Sequence, residues 1–240
     1  MPSPRLPIFA NFASFVSRQW REWRAYLLFF GLVWIPLRST VVDYNPVPTG
    51  SMNPTILEGD VVWVDKLAYS LRVPLTQHHL VRWAEPQRGD IVVLISPVDG
   101  IRLVKRVIGV PGDQLSLRHN RLFLNGEAVG YAPATSDYGP TVAAELRPHA
   151  AFAEEQLPDH PHAVMGLALR NASHRNFDPV TVPPDQFFIM GDSRDNSLDS
   201  RAWGFAPRDA ILGQAKGILV SLDINDTYLP RWNRWGTKLR

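Results

Sequence analysis

The sequence predicts a mainly β protein: an antiparallel β-sheet or barrel-like domain with an inserted subdomain, preceded by one transmembrane helix. Three observations support this fold class. The 240-residue chain contains 21 prolines and 16 glycines, which are scattered and divide it into short segments. From Val41 onward, short apolar runs alternate with turn signals. One uncharged apolar segment lies near the amino terminus.

Composition restricts the classes of function. The hydrophobic content of 45% is sufficient for one packed core. The formal net charge is only +2, and the basic residues cluster at the two ends of the chain, so we expect no nucleic acid as a partner. The chain has no cysteine, which excludes thiolate catalysis, disulfides and cysteine-type zinc sites.

The amino-terminal apolar segment, residues 25–37, predicts a membrane anchor. It carries no charge and follows three arginines, which mark the cytoplasmic flank. It is shorter than the ~20 residues that a spanning helix needs, so we extend the predicted transmembrane span to residues 20–42. Residues 1–19 then form a cytoplasmic segment. A cleavable signal peptide and a buried core helix are the alternatives.

Six short runs rich in β-branched and aromatic residues predict strands. Their spacing suits an all-β sandwich or barrel. The runs are residues 60–64, 90–95, 102–108, 121–124, 186–190 and 215–221. Asn125 and Gly126 follow one of these runs and predict a two-residue hairpin, because a type I′ turn requires positive φ at both positions.

Residues 130–184 differ from the rest of the chain. Their periodicity is weak, and their composition shifts to alanine, proline, histidine and mixed charge. We predict an inserted subdomain or long loop there. Residues 43–129 and 185–240 then form the β-rich domain.

A segment rich in hydroxyl and turn-forming residues, 46–60, follows the predicted anchor. Ser51 within it is accessible, but a serine is a weak nucleophile until a base takes its proton. The alternative is that Thr49 and Ser51 only cap a short helix that begins near Met52.

The predicted strand 102–108 places a lysine among apolar neighbours. Alternation puts Leu103, Lys105 and Val107 on one face. Burial disfavours the ammonium ion and lowers the pKa of a lysine, so that its neutral amine can act as a general base near neutral pH. A surface lysine with only its stem buried is the alternative.

The segment 191–204 is dense in hydrogen-bonding groups and follows the apolar run 186–190. Its carboxylates suggest a calcium loop, but Arg194 and Arg201 would neutralise such a site, and the spacing does not match one. We interpret it as a salt-bridged loop that orients a neighbouring catalytic group. A plain surface turn is the alternative.

Together, three motifs resemble those of the bacterial type I signal peptidases. They are Pro-Thr-Gly-Ser-Met-Asn-Pro-Thr-Ile at 48–56, Lys-Arg-Val-Ile-Gly-Val-Pro-Gly-Asp at 105–113, and Gly-Asp-Ser-Arg-Asp-Asn-Ser-Leu-Asp-Ser-Arg-Ala-Trp-Gly at 191–204. The resemblance covers roughly residues 20–115 and 183–236 and leaves out the insert. It implies a membrane-bound serine endopeptidase that removes N-terminal signal peptides after small-x-small sites through an acyl-enzyme.

The resemblance also implies roles for the matched residues. Ser51 would be the nucleophile and Lys105 the general base. The Ser51 backbone N–H and the Thr49 hydroxyl would form the oxyanion hole. The residues expected to orient the dyad are Ser197, Asp199 and Arg201. The residues expected to line shallow apolar substrate pockets are Pro48, Met52 and Val104.

The implied setting is the bacterial inner membrane, with a single span and the catalytic domain on the extracytoplasmic side. The implied partners are signal-peptide-bearing pre-proteins and the lipid bilayer, for a monomer that needs no cofactor and no metal.

Three other functions compete with this interpretation. A self-cleaving Ser-Lys repressor would need an amino-terminal helix-turn-helix, where this chain has its apolar segment. A metalloenzyme built on His78 and His79, or on His160 and His162, would lack a motif such as His-Glu-x-x-His. A membrane-tethered, non-catalytic β-domain that acts as a binding scaffold is the remaining alternative.

Overall fold

The computed structural model describes residues 19–20, 22–34, 39–73, 76, 78–168 and 174–239, and most of its regular structure is β-strand. The strands are β1 (Val42–Pro46), β2 (Asp60–Asp65), β3 (Ser70–Arg72), β4 (His79–Arg82), β5 (Ile91–Ile95), β6 (Arg102–Gly109), β7 (Gln114–Arg118), β8 (Arg121–Leu124), β9 (Glu127–Ala128), β10 (Gly130–Pro133), β11 (Ala150–Gln156), β12 (His162–Leu167), β13 (Phe177–Thr181), β14 (Gln186–Met190), β15 (Ala206–Pro207) and β16 (Ile211–Ser221). The short helices that follow β1 are the α-helix Ser200–Trp203 and the 3-10 turns Gly50–Met52, Gly139–Thr141, Arg147–His149, Arg208–Ala210 and Trp232–Arg234.

The strands form four sheets. The largest has seven strands in the order β1-β2-β16-β5-β6-β14-β15. A four-stranded sheet has the order β13-β7-β8-β9, and β3 pairs with β4. The sheet β10-β11-β12 lies within the predicted insert, and we call it the inserted sheet. The pairings between these strands are antiparallel, which confirms the mainly β, antiparallel fold class.

The predicted runs correspond to strands β2, β5, β6, β8, β14 and β16. The hairpin prediction is also confirmed. Asn125 and Gly126 have φ angles of 52° and 87°, and Leu124 on one side of the turn pairs with Glu127 on the other. Positive φ at both central residues gives the strand twist that a tight hairpin requires.

Packing on the seven-stranded sheet brings distant segments together. One buried cluster includes Met52, Val62, Val93, Val104 and Ile218. Met52 follows Ser51 in sequence and Val104 precedes Lys105, so apolar burial holds the serine-bearing turn against β6.

The predicted insert is only partly a separate unit. Three of its strands form the inserted sheet, but β13 pairs with β7, where Phe177 lies opposite Leu117. The sequence predicts neither the strands of the inserted sheet nor β13. The domain boundaries at residues 130 and 184 stay predictions.

The amino-terminal part of the predicted anchor is an exposed helix. Residues 22–29 are α-helical, and Phe30–Trp34 form a π-helical turn with no buried residue. Within the described part of the chain, no helix combines the length and apolar character needed to cross a membrane. Residues 1–18, 21 and 35–38 lie outside the described residues.

The carboxyl end of the predicted span contacts the β-rich region. Strand β1 begins at Val42, which pairs with Asp65. Lys66 Nζ donates a hydrogen bond of 2.7 Å to the carbonyl oxygen of Ser39. The predicted span includes residues 39–42, whereas in the structure Ser39 contacts Lys66 and Val42 pairs with β2.

Candidate active site

Ser51 lies in the 3-10 turn Gly50–Met52, which follows β1 and which we call the serine turn. Thr49 precedes the turn in an extended conformation, and its side chain makes no capping hydrogen bond. Ser51 is partly exposed, whereas Met52 is fully buried. The turn therefore anchors itself through Met52 and leaves the Ser51 hydroxyl accessible. The capping role considered for Thr49 is not observed.

Lys105 is buried on β6, with only 2% of its surface exposed. Its Nζ lies 2.6 Å from Ser51 Oγ and donates a hydrogen bond of 3.1 Å to the Val104 carbonyl oxygen. Burial lowers the pKa of Lys105 to about 8, although the carboxylates of Asp199 and Asp192 act to raise it. The predicted buried lysine is confirmed, and a surface lysine is excluded.

The position of Lys105 within the sheet fixes the direction of its side chain. Lys105 pairs with Val92 on β5, and Val107 pairs with Ile189 on β14. A strand held on both edges has little freedom to rotate about its axis. Ser51, 54 positions away in sequence, is brought to Lys105 by tertiary packing.

Residues 191–204, which we call the 191–204 loop, follow β14 and pass behind the serine turn. The Ser193 N–H donates a hydrogen bond of 3.2 Å to the Ser51 carbonyl oxygen. A Cβ atom at Gly191 would collide with that same carbonyl oxygen and with the Ser197 side chain, so only glycine fits there. The loop thus supports the backbone of Ser51 directly.

A buried ion pair stabilises this loop. Asp199 accepts two hydrogen bonds of 2.8 Å from the Arg201 guanidinium and one of 2.9 Å from the Gly191 N–H. Burial alone would raise the pKa of Asp199, but the hydrogen bonds and charge of Arg201 outweigh burial and hold this pKa below its usual value. Because Asp199 and Arg201 are buried and paired, the segment is not a plain surface turn.

Four predicted site residues lack the expected contacts. Ser197 Oγ is buried, and no hydrogen bond among those of the described residues joins it to Lys105. Among the expected pocket residues, Pro48 is exposed, whereas Met52 and Val104 are buried in one cluster. The structure therefore does not bring these three onto one open surface. Both sets of roles stay predictions.

Sequence reasoning missed a second buried ion pair beside the dyad. Arg106 donates hydrogen bonds of 2.9 and 2.8 Å to the two carboxylate oxygens of Asp192, and Thr55 donates one of 2.5 Å to Asp192. The Arg106 and Asp192 side chains are 0% and 1% exposed. Both follow residues already identified, Lys105 and Gly191. Their position next to motif residues was the only indication in the sequence that they belong to the site. It does not show that Arg106 and Asp192 form a pair.

The chain is similar to known proteins over most of its length. The model of a family described as "Signal peptidase, peptidase S26" matches residues 20–220. Signal peptidase I of Buchnera aphidicola subsp. Acyrthosiphon pisum is 32% identical, and the match covers 85% of this chain and 74% of that protein. Signal peptidase I of Pseudomonas aeruginosa is 33% identical, with 87% and 76% covered. The crystal structure of a signal peptidase I from Enterococcus faecalis V583 is 27% identical, covers 55% of this chain and 97% of that chain, and has a TM-score of 0.33.

Proposed function

The chain belongs to the peptidase S26 family of signal peptidases, and we propose that it removes the signal peptides of pre-proteins through a Ser51–Lys105 dyad. The observation that carries the choice of residues is the 2.6 Å separation of Lys105 Nζ and Ser51 Oγ, with the lysine buried. A serine protease needs an adjacent base to activate its hydroxyl, and a desolvated amine can be that base.

The proposed mechanism has two steps. The neutral amine of Lys105 takes the Ser51 proton while Oγ attacks the scissile carbonyl carbon, and the resulting ammonium gives a proton to the departing amine. A water molecule then enters, Lys105 takes one of its protons, and the hydroxide attacks the acyl carbon. The bond from the acyl carbon to Ser51 Oγ breaks, and the Lys105 ammonium returns the proton to Oγ, which restores the hydroxyl and the neutral amine. The separation of 2.6 Å between Lys105 Nζ and Ser51 Oγ is short enough for the direct transfer of a proton between them.

We assign stabilisation of the tetrahedral intermediate to the Ser51 backbone N–H and the Thr49 hydroxyl. A side chain that caps no helix end is free to donate to a developing oxyanion, as Thr49 is here. The Asp199–Arg201 pair would keep the 191–204 loop in place behind the dyad, with Ser197 as a further orienting group.

Substrate selection would depend on the space near the dyad. Met52 and Val104 pack tightly in one buried cluster, next in sequence to Ser51 and Lys105. Because Met52 is fully buried and Val104 almost fully buried, exposed Pro48 beside the serine turn would supply the apolar contact, and the space above the buried cluster would be shallow, which suits small side chains such as alanine.

The amino-terminal helix and an exposed apolar surface support a lipid bilayer as partner. Residues 22–34 are exposed and rich in aromatic and aliphatic side chains. On the β-rich domain, Tyr44, Leu219, Trp232 and Trp235 expose 40% or more of their surface. Tryptophan and tyrosine favour membrane interfaces. We propose a bacterial inner-membrane location, with the amino-terminal helix in the anchor region and a monomeric catalytic domain outside the cytoplasm.

Cleavage of a defined pre-protein tests the proposal. We expect the detergent-solubilised full chain to cut after an Ala-x-Ala site, identified by mass spectrometry of the product. Replacing the alanine before the scissile bond with phenylalanine should lower kcat/KM about 100-fold, since a large ring does not fit a small pocket. Equal cleavage of both substrates would contradict the proposed specificity. No cleavage of either would favour a non-catalytic binding domain.

The pKa of Lys105 predicts the pH dependence of the reaction. Only the neutral amine can take a proton, and with a pKa of about 8 roughly a tenth of it is neutral at pH 7. We expect kcat/KM to rise about tenfold per pH unit below pH 8 and to level off above it. A rate profile from pH 6 to 10, with circular dichroism at each pH as a control for folding, measures this. An acid limb centred near pH 6.5 would instead indicate a histidine base.

A further inference from the structure

The 191–204 loop lies between the serine turn and the inserted sheet. On one side, the Ser193 N–H donates to the Ser51 carbonyl oxygen. On the other side, Met165 of β12 donates its N–H to the Asp192 carbonyl oxygen at 2.9 Å and accepts one from the Arg194 N–H at 2.8 Å. Three consecutive loop residues are therefore held by the inserted sheet and the serine turn together.

Side chains of the inserted sheet extend this contact into a buried charge network. Glu155 on β11 has no exposed surface and accepts hydrogen bonds of 2.6 Å from Arg194 and 2.5 Å from the Tyr131 hydroxyl. His162 on β12 is also buried. Its Nε2 lies 3.6 Å from a carboxylate oxygen of Glu155 and 3.9 Å from one of Asp192.

The charges of this network balance. Arg106 and Arg194 are cationic, and Asp192 and Glu155 are anionic. Burial, with Arg106 close by, lowers the pKa of His162 to about 4, so the imidazole is neutral at neutral pH. Removing one charge from such a buried set leaves another without compensation, which is far more costly than removing a surface charge.

Asp192 connects the network to both members of the dyad. Its carboxylate is bound by Arg106, which follows Lys105, and by Thr55, four residues after Ser51. A displacement of Asp192 would thus move both strand β6, which carries Lys105, and the segment that carries Ser51. Misplacing reacting groups by about 1 Å can lower a rate about 100-fold.

We propose that Glu155, through its ion pair with Arg194 and with His162 beside it, is a positioning residue that fixes Asp192 and thereby the geometry of the Ser51–Lys105 dyad. The inference rests on the proposed function. It gives the inserted sheet a role in catalysis, although none of its side chains touches the reacting atoms.

The test is Glu155→Gln in the full chain, with Glu154→Gln as the matched control. Glu154 is the preceding residue on β11, where side chains alternate between faces. We expect Glu155→Gln to lower kcat about 10- to 100-fold for an Ala-x-Ala peptide, with KM within about twofold. The control should stay within about twofold in both. A kcat of Glu155→Gln within about threefold of wild type, in folded protein, would overturn the proposal.

The pH profile separates positioning from general stability. Asp192 raises the pKa of Lys105 in the native structure. In Glu155→Gln, Arg194 loses its balancing charge, so Asp192 shifts towards that arginine, and the acid limb of kcat/KM moves to lower pH by about 0.5 to 1 pH unit. An acid limb unchanged from wild type, together with a normal kcat, would count against positioning.

Two further variants separate a loss of positioning from a failure to fold and from a failure of the proposed function. If Glu155→Gln does not fold, the double variant Glu155→Met/Arg194→Met removes the pair without leaving a buried charge, and we expect it to fold but to show the lowered kcat. A folded double variant with wild-type kcat would overturn the proposal. Ser51→Ala is measured in parallel. If it cleaves like wild type, the proposed function fails, whereas an inactive Ser51→Ala beside a normal Glu155→Gln refutes only this inference.

Discussion

Replacing Lys105 with methionine is expected to lower kcat at least about 10,000-fold while the protein stays folded. Methionine has a similar length but no proton-accepting group, so Ser51 loses its base. Because the Lys105 side chain is almost fully buried, an apolar replacement also removes the cost of burying an amine. We therefore expect the melting temperature to be equal to or higher than that of wild type. Single-turnover cleavage and thermal unfolding of the same preparations measure both effects.

The matched control for this substitution is Lys238→Met. Lys238 is exposed near the carboxyl terminus, so its replacement should change kcat less than about twofold. Ser51→Ala should lose as much activity as Lys105→Met, and the double variant should be no slower than either, because nucleophile and base act as one unit. Substantial cleavage by Lys105→Met, above about 1% of wild type, would refute lysine as the base.

Local patterns were sufficient to predict much of the fold. The β8–β9 hairpin followed from Asn125 and Gly126, because the backbone conformation there is dictated by two adjacent residues. The burial of Lys105 followed from its apolar strand neighbours. The order of strands in the large sheet could not be predicted, since β16 pairs with β2 and β5, which lie more than a hundred residues earlier.

The inserted sheet shows why the buried charge network could not be predicted from the sequence. Sequence patterns treat a glutamate as a solvent-exposed residue, yet Glu155 is fully buried. Its partner Arg194 is 39 positions away, and only the folded chain brings the two together. Ser51 and Lys105 are likewise distant in sequence, and local patterns do not show that they meet. Resemblance to a family, and not periodicity, indicated that Ser51 and Lys105 would meet.

The largest expected effect on stability comes from Asp199→Ala, which should lower the free energy of unfolding by about 3 to 5 kcal/mol. The Arg201 side chain is 1% exposed, so loss of its partner leaves a buried cation without compensation. The Gly191 N–H and the first turn of the helix Ser200–Trp203 also lose their acceptor. Urea unfolding followed by tryptophan fluorescence measures the loss.

Two further variants show whether the loss of stability in Asp199→Ala comes from the buried ion pair. Asp226→Ala removes an exposed aspartate and should change stability by less than about 0.5 kcal/mol. Asp199→Asn keeps the shape and an acceptor oxygen but not the charge, so we expect an intermediate loss of stability. Since the Asp199 charge raises the pKa of Lys105, the asparagine variant should also shift the acid limb of kcat/KM to lower pH. If Asp199→Ala were as stable as Asp226→Ala, the pair could not be what holds the 191–204 loop behind Ser51. The loop would then have to be held by its other contacts, among them the hydrogen bonds of Ser193 and Met165 and the ion pair of Asp192 with Arg106.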